Sequence, residues 1–469
     1  MRYAFGFLMA LTVLAFAACG DNDGNCVEPV DVAGEWEMTT TDVIDSCGGR
    51  VPYTFPMTIT QNGNALTAEF PGGPLTGTIC GDQVRLSGSF PEDDGTATVS
   101  VALIVSADGD SMQGSDSWSW TDGFTDCSGS DSLSGTRTQE FPCTEQGIRD
   151  AIAQGGGPHT FACNGPTTVV TEAEIVIDND VILDGEGNLT VDGNRSGDLD
   201  VDMGHVVFVV VEEVASELRR LTVTGGTCSG FCTEPWGIIN SGTLTLTNVT
   251  VSGNSSGIDS YGTLTLINTT VSGNEGGGIN SIGEPATATL TNSTVSSNGH
   301  SGIRNADGAM MTIANSTVSR NGEVGITNEA MMVIANSTFY GNGIGIDYSQ
   351  LEGRALMVTN SLVADECNVD SSETISSGYN IESPGNTCGF DQDTDKTDVT
   401  PEELNLGELA DNGGPTMTHK PGDGGFGDGS VAIDAIPGDS CEVTEDQRGM
   451  PRPETGGRMC DVGSVEVRP

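Results

Sequence analysis

A Gly-Ile pair recurs through the second half of the chain, with its isoleucines at Ile258, Ile279, Ile303, Ile326 and Ile346. Three residues before this column stand His300 and Glu323 in consecutive repeats, with Glu275 one place off in the repeat before. Repeats stacked as paired strands would set His300 about 5 Å from Glu323, near enough for an imidazole and a carboxylate to act as an acid–base pair. The plainer reading makes both of them polar residues at a variable corner, the place that Ser255 and Gly343 hold in their own repeats. Directly after the isoleucines come Asp259, Asn280, Arg304, Thr327 and Asp347, one per repeat. No two acids are neighbours in that row, and Asp259 and Arg304, two repeats apart, would be separated by roughly 10 Å. Cleavage of a glycosidic bond by paired carboxylates needs two of them about 5–9 Å apart over a groove. For sugar stacking near such a face the sequence offers Trp236, Tyr261, Tyr340 and Tyr348.

A second constellation concerns metal. Asp391, Asp393, Asp395, Thr397 and Glu402 follow the ligand spacing of a calcium-binding hand, although Lys396 stands where Gly makes the sharp turn and Pro401 precedes the last acid. Ca²⁺ is therefore the one cofactor to consider. No phosphate-cradling glycine loop, nucleophile elbow or paired-His zinc motif occurs.

These side chains must be positioned by the repeats that carry them. One Asn recurs at Asn248, Asn268, Asn292, Asn315, Asn336 and Asn360, in strings such as LTLTNVTVSGN, ATLTNSTVSSN and MVIANSTFYGN. A second column holds Asn254, Asn274, Asn298, Asn321 and Asn342. Alternation within each unit makes strands, while Asn and Gly at fixed points make corners. A unit this short cannot bury its apolar face alone, so the units stack into a parallel ladder with Ile, Leu and Val columns inside. Asn columns then bond amide to amide along the stack. The crossover rule for parallel strands makes the coil right-handed. Weaker units precede these, in TEAEIVIDNDVILDGEGNLTVDG, MGHVVFVVVEE, LRRLTVTGG and WGIINSG, which gives on the order of eight to ten coils between about residues 165 and 365. Ahead of them, CTEQGIRDAIAQGGG changes period: Ile148, Ala151 and Ile152 share one helical face, Thr144 caps the start and Gly155 to Gly157 stop it. A helix over 144–154 would plug the first coil, whose open edge otherwise recruits other strands.

Upstream, short alternating segments from Gly34 to Thr138 are separated by Asn-Gly, Gly-Gly and Asp-Asp-Gly turns. They read as a small antiparallel barrel or sandwich over 32–140, for which the plainer reading is a barrel filled by its side chains and serving as a spacer, and the alternative, which needs a cavity, is small-ligand binding inside it. Low hydrophobicity (36%), few aromatics (5%) and 66 glycines argue for this repetitive β structure over helical packing. With 67 acids against 17 bases and a formal charge of −50, the surface suits neither nucleic acid nor anionic headgroups, which need clustered Lys and Arg. Polysaccharide or protein partners fit it better.

Thirteen cysteines imply an oxidising compartment. Close spacing suggests disulfides Cys143 with Cys163, Cys228 with Cys232, Cys367 with Cys388 and Cys441 with Cys460. Cys26, Cys47, Cys80 and Cys127 are left to the first domain with three pairings open. The apolar stretch from Ala4 to Phe16 after Arg2 is a signal peptide over 1–18, too short to span a bilayer. Its end, Phe16-Ala17-Ala18-Cys19, resembles the bacterial lipobox, which implies lipidation of Cys19, a polar tether over 19–31, and membrane attachment through that lipid only.

Four further resemblances follow from these residues. Trp36 in Gly-Glu-Trp, with Arg137 near the end of the last strand, resembles the lipocalin arrangement. Arg149, Asp150, Ala151 and Ile152 resemble the capping segment of bacterial surface β-helix proteins, and the stacked repeats are similar to the pectin-lyase-like right-handed parallel β-helix superfamily. The closing segment over 366–469 carries DNGGPT, AIDA around Ala432 to Asp434, DQRGMPRP from Asp446 to Pro453 and CDVGSVE from Cys460 to Glu466, a series that resembles the "choice-of-anchor Q" bacterial surface proteins. That resemblance implies no shared catalytic residues. The varied C-terminal anchors for which the group is named have no counterpart before Pro469, which leaves the N-terminal lipid as the expected anchor. The chain thus reads as all-β, with a barrel or sandwich ahead of a β-helix over 143–365. It is expected to be a lipoprotein of the cell surface or outer membrane, or else secreted. Non-enzymatic binding of extracellular polysaccharide or protein is the expected role, and a polysaccharide lyase or glycoside hydrolase drawing on His300, Glu323, Arg304 and Asp259 is the alternative.

Overall fold

A computed structural model describes residues 28–48, 51–92, 95–107, 109–194, 204–227, 236–348, 355–369, 374–426, 429–441, 443–453 and 459–467. The expectations for the signal peptide, Cys19, Cys26 and the Cys228–Cys232 pair lie outside these residues. The chain divides into two compact units, one reaching to Gln139 and including Gly156–Pro158, the other comprising Glu140–Gly155 and the chain from His159 onward.

In the first unit eight strands run antiparallel in sequence order: β1 (Gly34–Asp45), β2 (Thr54–Asn62), β3 (Ala65–Phe70), β4 (Gly73–Cys80), β5 (Gln83–Glu92), β6 (Gly95–Val105), β7 (Ser111–Thr121) and β8 (Asp126–Pro142). β8 pairs back onto β1, so the sheet closes as an up-and-down barrel and not as a sandwich. Alternation sends Met38, Met57, Ile59, Leu66, Leu75 and Leu103 inward. Trp36 and Arg137 are register partners, with the guanidinium 5.2 Å from the ring centroid and the indole Nε1 donating to the Val32 carbonyl at 3.0 Å. This closes one end. Cys47 bonds to Cys127 at the other, which selects among the three pairings left open by the sequence. The reading of a filled barrel is corrected here: the large aromatic side chains gather at one end and leave a cavity of about 780 Å³.

The second unit is a right-handed parallel β-helix of about nine turns over residues 139–382. Each regular coil has three strands, as in Thr243–Thr247, Thr250–Ser252 and Ser256–Ser260, and each strand pairs in register with its counterpart one coil on. The three stacks are called faces A, B and C in that order. Ile258, Ile279, Ile303, Ile326 and Ile346 line face C inside, while Leu246, Leu266, Leu290, Ile313 and Ile334 line face A. Each such side chain removed from water stabilises the stack by about 1.5–3 kcal/mol. The helix α1 (Glu145–Gln154) packs Ile148, Ala151 and Ile152 into the same core, capped by Thr144, whose hydroxyl accepts from the Gly147 amide.

The two Asn columns do different work. Asn254, Asn274, Asn298, Asn321 and Asn342 form the expected amide ladder: each Nδ2 donates to the side-chain oxygen of the next coil and to a Val carbonyl, ending on the Asp365 carboxylate at 2.8 Å. Asn248, Asn268, Asn292, Asn315, Asn336 and Asn360 instead share a left-handed backbone, with φ between 48° and 56°. They are turn residues, for which Asn is suited because its short polar side chain tolerates that region, and the expected ladder is limited there to the Asn315–Asn292 bond. The residue after each forms a further buried ladder, in which the Ser293, Ser316, Ser337 and Ser361 hydroxyls accept from the amides of Thr269, Ser293, Ser316 and Ser337. Disulfides join Cys143 to Cys163, Cys367 to Cys388 and Cys441 to Cys460. Among the described residues no helix is long and apolar enough to cross a membrane.

Candidate functional site

Outward positions on face C alternate with the inward isoleucines. Register pairs Ile239, Asp259, Asn280, Arg304, Thr327 and Asp347 in one column, which a bridge to Asn368 continues. Flat parallel stacking makes these side chains neighbours, and most are already joined. Asn280 Nδ2 donates to Asp259 Oδ1 at 2.7 Å, and Arg304 Nη1 reaches Asn280 Oδ1 at 3.4 Å. Asp259 and Arg304, placed two repeats apart by the sequence, are thereby linked through the intervening amide. Arg304 Nη2 also donates to Glu329 Oε2 at 2.9 Å, and Asn368 Nδ2 to Asp347 Oδ1 at 2.7 Å. Asp259 is fully buried, which corrects its reading as a displayed carboxylate, while Asn280, Arg304, Thr327 and Asp347 are half-buried.

His300 and Glu323 meet as expected, with Nδ1 3.0 Å from Oε1. Their backbones stack through the Glu323 amide donating to the His300 carbonyl. Both side chains stand in solvent, 63% and 61% exposed, where a charge pair is weak and water competes for any transferred proton.

The calcium-like string does not converge. Asp395 accepts from Ser376 Oγ at 2.6 Å and from the Gln392 and Asn380 amides, and so fixes a turn. Asp391 accepts from Gln392 Nε2, and Glu402 sits in the first turn of the short helix α2 (Pro401–Leu404). Among the described residues no group of three or more metal-ligating side chains comes together.

Sequence reasoning missed a buried polar assembly, which the four C-terminal motifs build against face B. The outward Thr and Ser of the TVS strands are half-buried in the earlier coils but buried at Thr294–Ser296 and Thr317–Ser319. Gln447 covers them: its Nε2 donates to the Ser293 carbonyl and to Thr294 and Thr416 hydroxyls, and its Oε1 accepts from Thr317 Oγ1 at 2.6 Å. Arg448 grips Asp446, Arg452 grips Glu466, and Asp446 Oδ2 accepts from the Glu466 amide. His419 donates from Nδ1 to the Gly407 carbonyl, lies 2.8 Å from Ser319 Oγ, and packs edge-on to Tyr340. Burial holds its imidazole pKa down at about 4. Burial works oppositely on Asp461, raising its carboxyl to about 7 against backbone donors from Val467 and Asp434. The motifs are thus a clasp for the closing segment. The change from half-buried to buried Thr has no sequence signature, since the TVS strings are alike in covered and uncovered coils.

Residues 237–394 match the family described as right handed beta helix region. No curated protein matches the chain. Among solved structures, pectate lyase Pel9A aligns at 14% identity over 70% of this chain and 96% of its own, with a TM-score of 0.46. Full-length tailspike protein 2 from Escherichia coli O157:H7 bacteriophage CAB120 aligns at 10% identity over 72% of this chain and 53% of its own, with a TM-score of 0.33.

Proposed function

We propose that this chain is a surface-displayed β-helix of the choice-of-anchor Q type that binds an extracellular polysaccharide or protein without cleaving it, held at the outer membrane by a lipid on Cys19. The observation that carries the binding role is the outward column of face C. Asn280, Arg304, Thr327, Asp347 and Asn368 present amide, guanidinium, hydroxyl and carboxylate groups on consecutive coils, an array whose pitch of about 4.8 Å suits a polymer of repeating polar units. Its carboxylates are engaged with amides, so the column favours recognition over proton transfer. Four disulfides among the described residues support an oxidising, extracytoplasmic location. The clasp formed by the DNGGPT, AIDA, DQRG-RP and CDVGSVE motifs gives them a structural role, consistent with a shared architecture that carries no shared catalytic centre.

Cleavage of an acidic polysaccharide is the second reading, favoured by the 3.0 Å contact of His300, on the coil of Arg304, with Glu323 on the next coil. One experiment separates the two. The mature protein is incubated, with and without Ca²⁺, on acidic and neutral polysaccharides while retention and new reducing or unsaturated ends are recorded. Retention that Arg304→Ala abolishes, with no new ends, is the expected result. New ends lost in His300→Ala or Glu323→Ala would replace binding by catalysis.

A further inference from the structure

The barrel is built as a cup. Trp36, Val32 and Arg137 close one end, while the cavity of about 780 Å³ lies at the end where β1 leads to β2, β3 to β4, β5 to β6 and β7 to β8. That volume falls in the range of about 300–1,000 Å³ usual for small-molecule sites. Buried apolar side chains, Met38, Met57, Leu75 and Leu133, line its depth. Of the carboxylates on its wall, Asp45 accepts from the Cys47 amide at 2.9 Å and Asp116 from the Asp131 amide at 3.0 Å. These acids are partnered within the barrel, so the surface left to a ligand is the apolar one.

Two aromatic walls face each other across the bore. The strands close in sequence order, which sets β3 opposite β7. Around β3 the rings follow one another, Phe55 to Phe70 at 5.8 Å between centroids and Phe70 to Phe90 at 5.5 Å. β7 supplies Trp118 and Trp120. Glycines on the strands beside β7 let these indoles lie along the wall. A Cβ at Gly95 of β6 would stand 2.5 Å from the Trp120 ring, and one at Gly129 of β8 would stand 2.5 Å from the Trp118 ring. The indoles take the room that side chains there would occupy, and the centre of the bore stays open. Phe70, Trp118 and Trp120 are half-buried, within reach of solvent at the mouth.

Rings already fixed in place lose little freedom when a ligand enters. Contacts between aromatic rings add attraction beyond the apolar area they bury, which an alkyl chain of equal area does not gain. A charged group carried into the apolar depth would lose its hydration.

We infer that the N-terminal barrel is a binding site for an uncharged, planar polycyclic compound, seated between Phe70 and Phe90 on one wall and Trp118 and Trp120 on the other. This site is independent of the face C column, and its failure leaves the polysaccharide reading untouched.

The test uses the mature full-length chain and two uncharged probes of similar hydrophobicity, the planar N-phenyl-1-naphthylamine and the flexible 1-decanol. Energy transfer from tryptophan reports the first, and calorimetry reports both. Saturable binding is expected, with the planar probe about tenfold or more tighter than the alcohol. Phe70→Leu and Trp118→Leu keep an apolar side chain but remove a ring. Each should weaken the planar probe several-fold and leave 1-decanol within about twofold. Ala97→Trp, which fills the cavity from β6, should abolish binding of both. Should that variant fail to fold, as judged by near-ultraviolet circular dichroism, the order of the two probes and the two leucine variants decide alone. Absence of saturable binding, 1-decanol binding as tightly as the planar probe, equal losses for both probes in the leucine variants, or planar binding indifferent to every variant would each overturn the inference.

Discussion

Arg452 and Glu466 face each other with Nε 3.2 Å from Oε2, and neither side chain reaches solvent. Arg452 also donates to the Gly463 carbonyl and to Asn336 of the coil beneath, so the pair ties the closing segment to the β-helix. Burial pushes the guanidinium pKa below its usual value, and the neighbouring acids oppose this. An ion pair in this setting adds little over a well-packed apolar pair, but loss of one partner strands a buried charge. Glu466→Gln should therefore cost about 3–5 kcal/mol, read as a lower urea midpoint and as new protease cutting between residues 401 and 467. An unchanged midpoint would show that the clasp does not depend on the pair.

The two Asn columns should respond differently to substitution. Asn298→Leu leaves the Asn274 Nδ2 without its 2.9 Å acceptor and the Asn274 amide without its side-chain partner. It should cost about 2–4 kcal/mol, since more than one buried donor is stranded. Asn268→Gly keeps the left-handed turn at φ 52° and should cost less than about 1 kcal/mol, whereas Asn268→Val should cost about 1–2 kcal/mol through strain. Equilibrium unfolding of the three variants checks the order.

The pH response of the clasp follows from His419 and Asp461. Burial holds the His419 imidazole at about 4, below its ordinary 6.5. Its stabilisation is therefore complete above about pH 6.5 and is lost as pH falls toward 4. The deficit of His419→Gln relative to the native protein should shrink by up to about 3 kcal/mol over that window. Asp461 has the opposite sign. Its carboxyl is raised to about 7 from 3.8, so stability is greatest below about pH 4 and declines as pH rises through 7. Asp461→Asn should remove that alkaline decline. Unfolding curves collected from pH 4 to 8 for both variants test each sign separately.

On face C, Arg304 bridges Asn280 and Glu329. Half-exposed ion pairs of this kind contribute about 0–1 kcal/mol to stability. Arg304→Ala should accordingly leave the unfolding midpoint almost unchanged while abolishing polysaccharide retention, and Asn280→Ala should weaken it. Comparable losses of stability and retention would point to a structural role for the column.

Much of this architecture is written in local patterns. The period of 20–24 residues, the Ile and Asn columns and the Thr144-capped helix identify stacked coils and their plug, because each depends on near neighbours in a repeat. His300 and Glu323 were paired for the same reason, since equal offsets in adjacent coils become contacts when strands align in register. Cys143 with Cys163, Cys367 with Cys388 and Cys441 with Cys460 were legible from short spacing.

What the sequence could not fix were relations between distant segments and the volume that side chains leave unfilled. Gln447 meets Thr317 across 130 residues, and nothing in either string marks the other. Cys47 meets Cys127 across 80 residues because the barrel brings the ends of β1 and β7–β8 together. The burial of Asp259, the linkage of Asp259 to Arg304 through Asn280, and the distinction between a ladder Asn and a turn Asn all depend on backbone dihedrals and on what lies over the coil. The barrel cavity belongs to the same class. Its aromatic residues are countable in the sequence, but tertiary packing decides whether they fill the centre or ring the mouth.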